Sequence, residues 1–340
     1  MKTLVTGVAG FIGSNLADRL LEEGHRVVGI DNLSYGLREN IPDGVEFHLL
    51  DIRDKGIYSL FRDVDTVFHL AAKNCIADCQ DDPVETADIN VRGTVNVFEA
   101  ARQGKVNKVV YAESSAMYEG SSVLPTPESE VKPESFYAVS KLATMYFAKA
   151  YSRFYGKRIV DDGCQMTDNN AKETASSTIH HQISGGLKFT ALRYFCVYGP
   201  VQDYRRTIPP VMSAFIIKLL KGEQPIIYGT GEKKRDFIYV DDINDFHMMC
   251  LTDKQTDGHV YNLGAGVNYS VNDIFQMVSR LLNIYIEPKR MSDLPGEAQI
   301  TLADITEAKK LGWAPKTDIQ TGLVNAIKYI KSEMGKGKIP

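Results

Sequence analysis

Tyr137 and Lys141 stand four residues apart in the run Tyr137-Ala-Val-Ser-Lys141. On a helix that spacing turns both side chains to one face. A phenol in water titrates near pH ~10, too high for a base at neutral pH. A neighbouring ammonium favours the phenolate and lowers that value. The pair therefore predicts a proton acceptor, Tyr137, tuned by the cation of Lys141. A second group with chemical potential opens the chain. Gly7-Val-Ala-Gly10-Phe11-Ile12-Gly13 follows an apolar run, Lys2–Thr6, and precedes a helical stretch, Ser14–Glu23. Strand, glycines, helix is the context in which a glycine loop cradles a dinucleotide pyrophosphate at a helix N-terminus. The next apolar run, Arg26–Ile30, ends in Asp31. An acid there accepts hydrogen bonds from both ribose hydroxyls and repels a 2′-phosphate. The following residues, Asn32 to Ser34, bring no arginine, so the expected cofactor is NAD rather than NADP.

These residues need a scaffold, and the chain alternates strand and helix patterns to provide one. Strands are expected at Val45–Leu49, Thr66–Leu70 and Lys108–Ala112, with Asp51-Ile52, Ala71-Ala72 and Glu113-Ser114-Ser115 just beyond their ends. Small residues at the carboxyl end of a parallel strand leave room for a ligand. Helices are expected from about Pro83 to Arg102 and from Glu134 to Tyr155, the second carrying the Tyr/Lys pair. This is the pattern of an α/β protein with a Rossmann-like, doubly wound parallel sheet. Past Lys157 the periodicity fails. Residues 159–186 are polar and read as an insertion loop. Cys164, His180 and His181 fall in it without spaced partners, so no metal site is expected. Order returns at Lys188–Leu192, followed by Arg193-Tyr-Phe195-Cys196, a helix at Pro210–Lys221, a strand at Pro225–Tyr228, Arg235-Asp-Phe, a strand at Val260–Leu263 and helices at Val271–Leu282, Asp304–Leu311 and Ile319–Ser332. The division expected is an NAD-binding domain over 1–187 and a smaller mixed α/β substrate lobe over 188–335 that returns some segments to the sheet.

Composition sets limits on function. The chain has 340 residues and a net charge of −4, which gives nucleic acid no electrostatic footprint. No apolar run is long enough to span a membrane, and Met1–Thr6 reads as a strand rather than a signal peptide. The five cysteines (Cys75, Cys79, Cys164, Cys196, Cys250) are odd in number and lack metal-type spacing, so free thiols in a reducing cytoplasm are expected. His69, within a strand, reads as a packed core residue. Tyr146, Phe147, Tyr151 and Phe154 recur at helical spacing and read as core or helix-pair contacts.

The order of these motifs resembles the extended short-chain dehydrogenase/reductases, and in particular the nucleotide-sugar 4-epimerases. The likeness rests on the glycine loop, Asp31, Asp51-Ile52, Leu70-Ala71-Ala72, Asn90, Ser114-Ser115, Tyr137-x-x-x-Lys141, Arg193-Tyr-Phe195, Tyr198-Gly-Pro200, Arg235-Asp-Phe and Tyr261-Asn-Leu-Gly264. It runs from Met1 to about Lys331, the insertion excepted. The resemblance implies that Phe11 and Ile12 bind the NAD pyrophosphate through backbone amides, with Gly7, Gly10 and Gly13 shaping the turn. Asp31 and Asn32 would lie at the adenosine ribose, and Asp51 and Ile52 at the adenine. Leu70, Ala71, Ala72 and Asn90 would line the middle of the cofactor, and Phe195 the nicotinamide. Lys141 would bond the nicotinamide ribose, and Ser114 would assist Tyr137, with Ser115 able to share that role. Cys196, Tyr228, Arg235 and Thr301 would meet the substrate, Arg235 as a fork-shaped donor to the diphosphate.

Within this family the residues after the catalytic hydroxyl separate the reactions. Dehydratases and decarboxylases place carboxylates there, whereas this chain has Ser115 and Ala116. Elimination needs a positioned acid and base, so the expectation is epimerisation at C4 of a UDP-sugar through a transient 4-keto intermediate. The position before Leu302 gates the sugar's C2 substituent in the family. Thr301 is small, which implies acceptance of UDP-N-acetylglucosamine/galactosamine as well as UDP-glucose/galactose. Two positions depart from the pattern. Cys196 replaces the usual Asn, and Leu294 a second phosphate-binding arginine, for which Arg290 is near enough in sequence to substitute. The alternatives are another enzyme of the family (a UDP-glucuronate epimerase, a reductase or a dehydratase) and a non-catalytic NAD-binding sensor. The resemblance also implies a homodimer whose interface is a four-helix bundle made by the helices at Pro83–Arg102 and Glu134–Tyr155.

Overall fold

The structure is a computed structural model that describes residues 1–155, 186–206, 208–293 and 298–339. The insertion, with Cys164, His180 and His181, and Leu294 lie outside the described residues, Gly186 excepted.

In chain order the strands are β1 (Lys2–Thr6), β2 (Arg26–Asp31), β3 (Glu46–Leu49), β4 (Thr66–His69), β5 (Lys108–Ser114), β6 (Lys188–Tyr194), β7 (Cys196–Tyr198), β8 (Ile226–Tyr228), β9 (Lys234–Tyr239), β10 (Val260–Leu263), β11 (Asn268–Ser270) and β12 (Lys289–Met291). The helices are α1 (Phe11–Glu22), α2 (Ile76–Asp81), α3 (Pro83–Ala87), α4 (Thr94–Gln103), α5 (Phe136–Tyr155), α6 (Val211–Leu220), α7 (Val240–Thr252), α8 (Val271–Leu282), α9 (Thr306–Lys310) and α10 (Ile319–Gly335). Seven strands form one parallel sheet in the order β10-β6-β5-β4-β1-β2-β3. The order reverses between β1 and β4, and a doubly wound sheet binds ligands at the carboxyl ends of its strands at that point.

The central strands are apolar throughout because both of their faces are covered. Successive residues serve opposite layers. Val5, Phe68 and Val110 pack with Leu16 and Leu20 of α1 and with Phe246 of α7 on one side. Leu4, Val67 and Val109 pack with Phe61, Val97, Phe98 and Phe189 on the other. His69 sits inside this sandwich, with Nδ1 bonded to Thr6 Oγ1 at 2.7 Å and Nε2 to Thr94 Oγ1 at 2.8 Å. Burial pushes its imidazole down to about 3, so it is a neutral core residue. The remaining strands form a three-stranded sheet, β11-β9-β7, and a pair, β12-β8.

Three elements differ from the sequence reading. The single helix expected over Pro83–Arg102 is α3 and α4 joined by a π-helical turn, Asp88–Gly93. Asn90 in that turn accepts from the Lys73 amide at 2.8 Å and donates to the Lys73 carbonyl at 2.9 Å and to Ser140 Oγ at 3.0 Å. A widened turn of this kind re-aims one side chain without ending a helix. Helix α2, between Cys75 and Asp82, is too short to show a period. Third, of the two readings of the aromatic set on α5, core or helix-pair contact, the core one does not apply to Tyr146, Phe147 and Phe154, which are exposed, Phe154 at 70%. Only Tyr151 of that set packs inward, against Phe98 and Phe189. No helix among the described residues is long and apolar enough to cross a membrane.

Candidate active site

A cavity of about 700 Å³ joins the segments that follow β1, β2, β4 and β5 to the small lobe. Its walls include Gly7, Gly10, Phe11, Ile12, Gly13, Asp31, Asn32, Asp51, Ile52, Leu70, Ala71 and Ala72 on one side. Ser114, Ser115, Tyr137, Lys141 and Phe195 lie in the middle, with Cys196, Tyr228, Arg235 and Thr301 beyond. Residues scattered over most of the sequence thus share one space.

The glycine cradle is built by close approach. Gly7 has φ +76°, and a Cβ on it would lie 2.8 Å from the Ala71 amide nitrogen. A Cβ on Gly13 would run into the Gly7 carbonyl. Any side chain at either position would push β1 from β4 or lift α1 away. Gly10 caps α1 without a side-chain hydrogen bond, so the helix presents its first amides to the cavity wall, a site suited to a phosphate. The Asp31 carboxylate accepts from the Ala9 amide at 3.0 Å and the Leu33 amide at 2.8 Å. Burial raises its titration point, and the amides of Leu33, Ala9 and Asn32 oppose that shift. Asn32 donates to Asp51 Oδ2 at 2.9 Å. Asp51 is held down at about 2, chiefly by its hydrogen bonds from Arg53.

At the centre, Ser114 ends β5 and its Oγ accepts from the Ala116 amide at 3.2 Å. The Ser114 hydroxyl faces the same cavity as the Tyr137 phenol. Lys141 is buried one helical turn along α5 and donates to the Ala112 carbonyl at 3.0 Å. Its ammonium is pushed down to about 8 by burial, with the charge of Glu113 acting the other way.

The electrostatic expectation for Tyr137 does not hold. Burial pushes the phenol up to about 12, and the Ser114 hydroxyl opposes this more than any nearby charge does. Desolvation of the phenolate outweighs the favourable neighbours. The Lys141 ammonium donates to the Ala112 carbonyl.

Two further residues depart from expectation. Asn90 does not reach the cavity wall. It is buried behind Lys73 and fixes that residue's backbone, so its part is positional. Arg290 does not join Arg235, because its guanidinium bonds the Thr230 carbonyl and Asn272. Lys233 lines the cavity instead. Sequence reasoning passed over Lys73, Glu119, Arg206 and Lys233, which all line the same space. Lys73 alone gave a signal, as a cation directly after the small residues that follow β4.

The model of the NAD-dependent epimerase/dehydratase family matches residues 3–161 and 171–264. The chain belongs to this family. It is 34% identical over 338 residues to a putative UDP-glucose 4-epimerase of Methanocaldococcus jannaschii, covering 97% of this chain and 98% of the relative. The crystal structure of UDP-glucose 4-epimerase from Thermotoga maritima with UDP-glucose superimposes with a TM-score of 0.86 at 31% identity, covering 98% of this chain and 100% of that one. A UDP-N-acetylglucosamine 4-epimerase from Methanobrevibacter ruminantium, in complex with UDP-N-acetylmuramic acid, gives 0.85 at 30% identity, covering 98% and 99%.

The cofactor of this epimerase/dehydratase family member is NAD, and the cradle fits it. Only glycine is tolerated where Gly7 and Gly13 stand, α1 has no side-chain cap, and an acid at the end of β2 has no cation next to it in the chain. The first two features suit a pyrophosphate and the third a ribose without a 2′-phosphate.

Proposed function

We propose that this enzyme epimerises C4 of UDP-sugars, interconverting UDP-glucose with UDP-galactose and UDP-N-acetylglucosamine with UDP-N-acetylgalactosamine through a transient 4-keto sugar. The observation that carries this reading is the gathering of Ser114, Tyr137 and Lys141 in one cavity with Arg235 and Thr301. Phe11, Ile12, Asp31 and Lys141 would hold the cofactor. Bound NAD supplies hydride uptake and return at the sugar carbon, and its oxidised ring carries a positive charge that favours a nearby phenolate.

Tyr137 takes the proton of the C4 hydroxyl and later returns it, and Ser114 passes that hydroxyl into line by hydrogen bonding. Burial keeps the phenol protonated, and positive charge beside it favours the phenolate that can act as the base. Ser115 and Ala116 offer no carboxylate for elimination. Arg235 serves the diphosphate. Thr301 is held by its own backbone amide on the Lys234 carbonyl at 3.0 Å, and its Oγ1 accepts from the Asp236 amide at 3.2 Å. A short side chain tethered there leaves space for a C2 acetamido group. The relative that is a UDP-N-acetylglucosamine 4-epimerase supports this breadth. We also assign the exposed apolar face of α5, with Phe136, Val139, Tyr146, Phe147 and Phe154, to a homodimer interface.

The test is incubation with UDP-glucose and with UDP-N-acetylglucosamine, separately and without added cofactor, followed by anomeric-proton NMR. Formation of both galacto epimers is expected. Release of a 6-deoxy-4-keto sugar, or no conversion of either substrate even with NAD added, refutes the assignment.

A further inference from the structure

Glu119 lies at the cavity wall just past the serine turn, and the geometry points to it as a positioning residue that fixes the start of α5, and with it Tyr137, against Ser114. Both of its carboxylate oxygens face the N-terminus of that helix. Oε2 accepts from the amides of Ser135 at 2.7 Å and Glu134 at 3.2 Å, and Oε1 accepts from Ser135 Oγ at 2.9 Å. Ser135 Oγ in turn accepts from the Ala138 amide at 3.1 Å, and Gln80 Oε1 accepts from the Phe136 amide at 3.2 Å. The first amides of a helix need such acceptors, and a carboxylate at this end also meets the positive pole of the helix. Here the anchored helix delivers Tyr137 two residues later. The segment beyond Glu119 is tied back as well, by Gly120 donating to the Lys132 carbonyl and Lys132 to that of Met117. The serine turn and the start of α5 therefore move as one piece.

Both oxygens of Glu119 thus accept from Glu134 and Ser135, just before α5. The carboxylate also acts on Tyr137 through space. Burial is the main cause of the raised phenol, Ser114 and Arg206 lower it, and Cys79 and Glu119 raise it. Lys141, on the same helix, faces Ala112. Removing the charge of Glu119 while keeping an acceptor therefore lowers the phenol's titration point.

The kinetic part of the inference rests on the proposed epimerase reading, while the structural part does not. The experiment compares Glu119→Ala and Glu119→Gln with the parent, each loaded with NAD. Hydrogen exchange reads residues 134–138. A 3-fluorotyrosine label at position 137, followed by 19F NMR, reads the phenol directly. Glu119→Ala is expected to lose protection at 134–138 while the sheet keeps its own. Glu119→Gln should retain most of that protection and titrate at lower pH than the parent. In turnover of the nucleotide sugar, kcat of Glu119→Ala should fall about tenfold to a hundredfold with KM little changed, a misplacement effect, and Glu119→Gln should recover most of it. Parent-like exchange at 134–138 in Glu119→Ala, or a phenol titration unmoved by Glu119→Gln, overturns the inference. If the parent itself converts no nucleotide sugar, the epimerase reading fails, and exchange and titration still decide the role of Glu119.

Discussion

Replacing Arg193 by methionine should cost more stability than any cavity-wall substitution, and the cost should depend on pH. Arg193 and Glu113 have side chains only 1% and 0% exposed, and Arg193 Nε donates to Glu113 Oε2 at 2.7 Å. Nη1 of the same guanidinium donates to the Tyr118 hydroxyl at 2.9 Å and the Glu128 carbonyl at 2.6 Å. Arg193→Met has a comparable stem and fills the space, so little of the loss is a cavity. What remains is a buried carboxylate that has lost its cation and keeps only the Tyr111 hydroxyl, which donates to its Oε1 at 3.0 Å, and a carbonyl without its donor. Breaking a buried pair in this way costs about 3–5 kcal/mol. A buried carboxylate charge left without its cation is penalised, and acid that protonates it removes that charge, so the penalty fades as pH falls. The deficit should therefore be large near neutral pH and shrink under mildly acidic conditions.

The assay is urea unfolding followed by circular dichroism at both pH values, with Arg193→Met/Glu113→Gln as the second variant. Removing both charges should restore much of the loss. A loss below about 1 kcal/mol in the single variant, or a deficit that does not change with pH, refutes the reasoning. The pair also has a functional reach. Tyr118 donates to Asn262 Oδ1 at 2.6 Å, and Asn262 Nδ2 donates to the carbonyls of Thr126 at 2.9 Å and Asp304 at 3.1 Å. Thr126 donates in turn to the Leu302 carbonyl at 2.8 Å. The ion pair thus braces both the serine turn and the segment that carries Thr301.

Thr301→Tyr should abolish turnover of UDP-N-acetylglucosamine while UDP-glucose turnover persists, as measured by the two NMR rates. Equal loss of both refutes the steric reading. Lys141, held at about 8 by burial, should lose its charge as pH rises past that value, so a step that needs the cation slows from neutral to alkaline pH. Stability from this group runs the other way. Its folded titration point lies below the unfolded one, so the unfolded state binds more protons between the two and the penalty of the buried charge fades as pH rises. A kcat/KM profile that is flat through about 8 argues against a required ammonium. Phe147→Glu on the exposed face of α5 should turn a dimer into a monomer in sedimentation velocity, and a parent that is already monomeric refutes the assigned interface.

The sheet was legible because its strands are buried on both faces, and such strands read as unbroken apolar runs ending in ligand-side signals such as Gly7, Asp31 and Ala71. The small lobe was less so. Strands β7, β11 and β12 have three residues each, too few to show alternation, and Arg235-Asp-Phe was recognised as a motif before it could be seen as part of β9. The π-helical turn left no trace in the pattern because it inserts no breaker and changes only where Asn90 points. For the site, spacing located the reacting groups but misjudged their electrostatics. A four-residue interval says that Tyr137 and Lys141 share a helix face, and it says nothing about how deeply that face is buried or which carbonyl the ammonium will choose. The charges that do reach the phenol, from Cys79, Arg206 and Glu119, come from α2 and two connections that the sheet brings to one end. Such residues have no period relative to Tyr137, so local sequence cannot reveal them. The proton chemistry at Tyr137 is therefore a property of the fold, while the identity of the proton acceptor is a property of the motif. That division explains why a substitution at Glu119, outside every recognised motif, is expected to change how Tyr137 titrates.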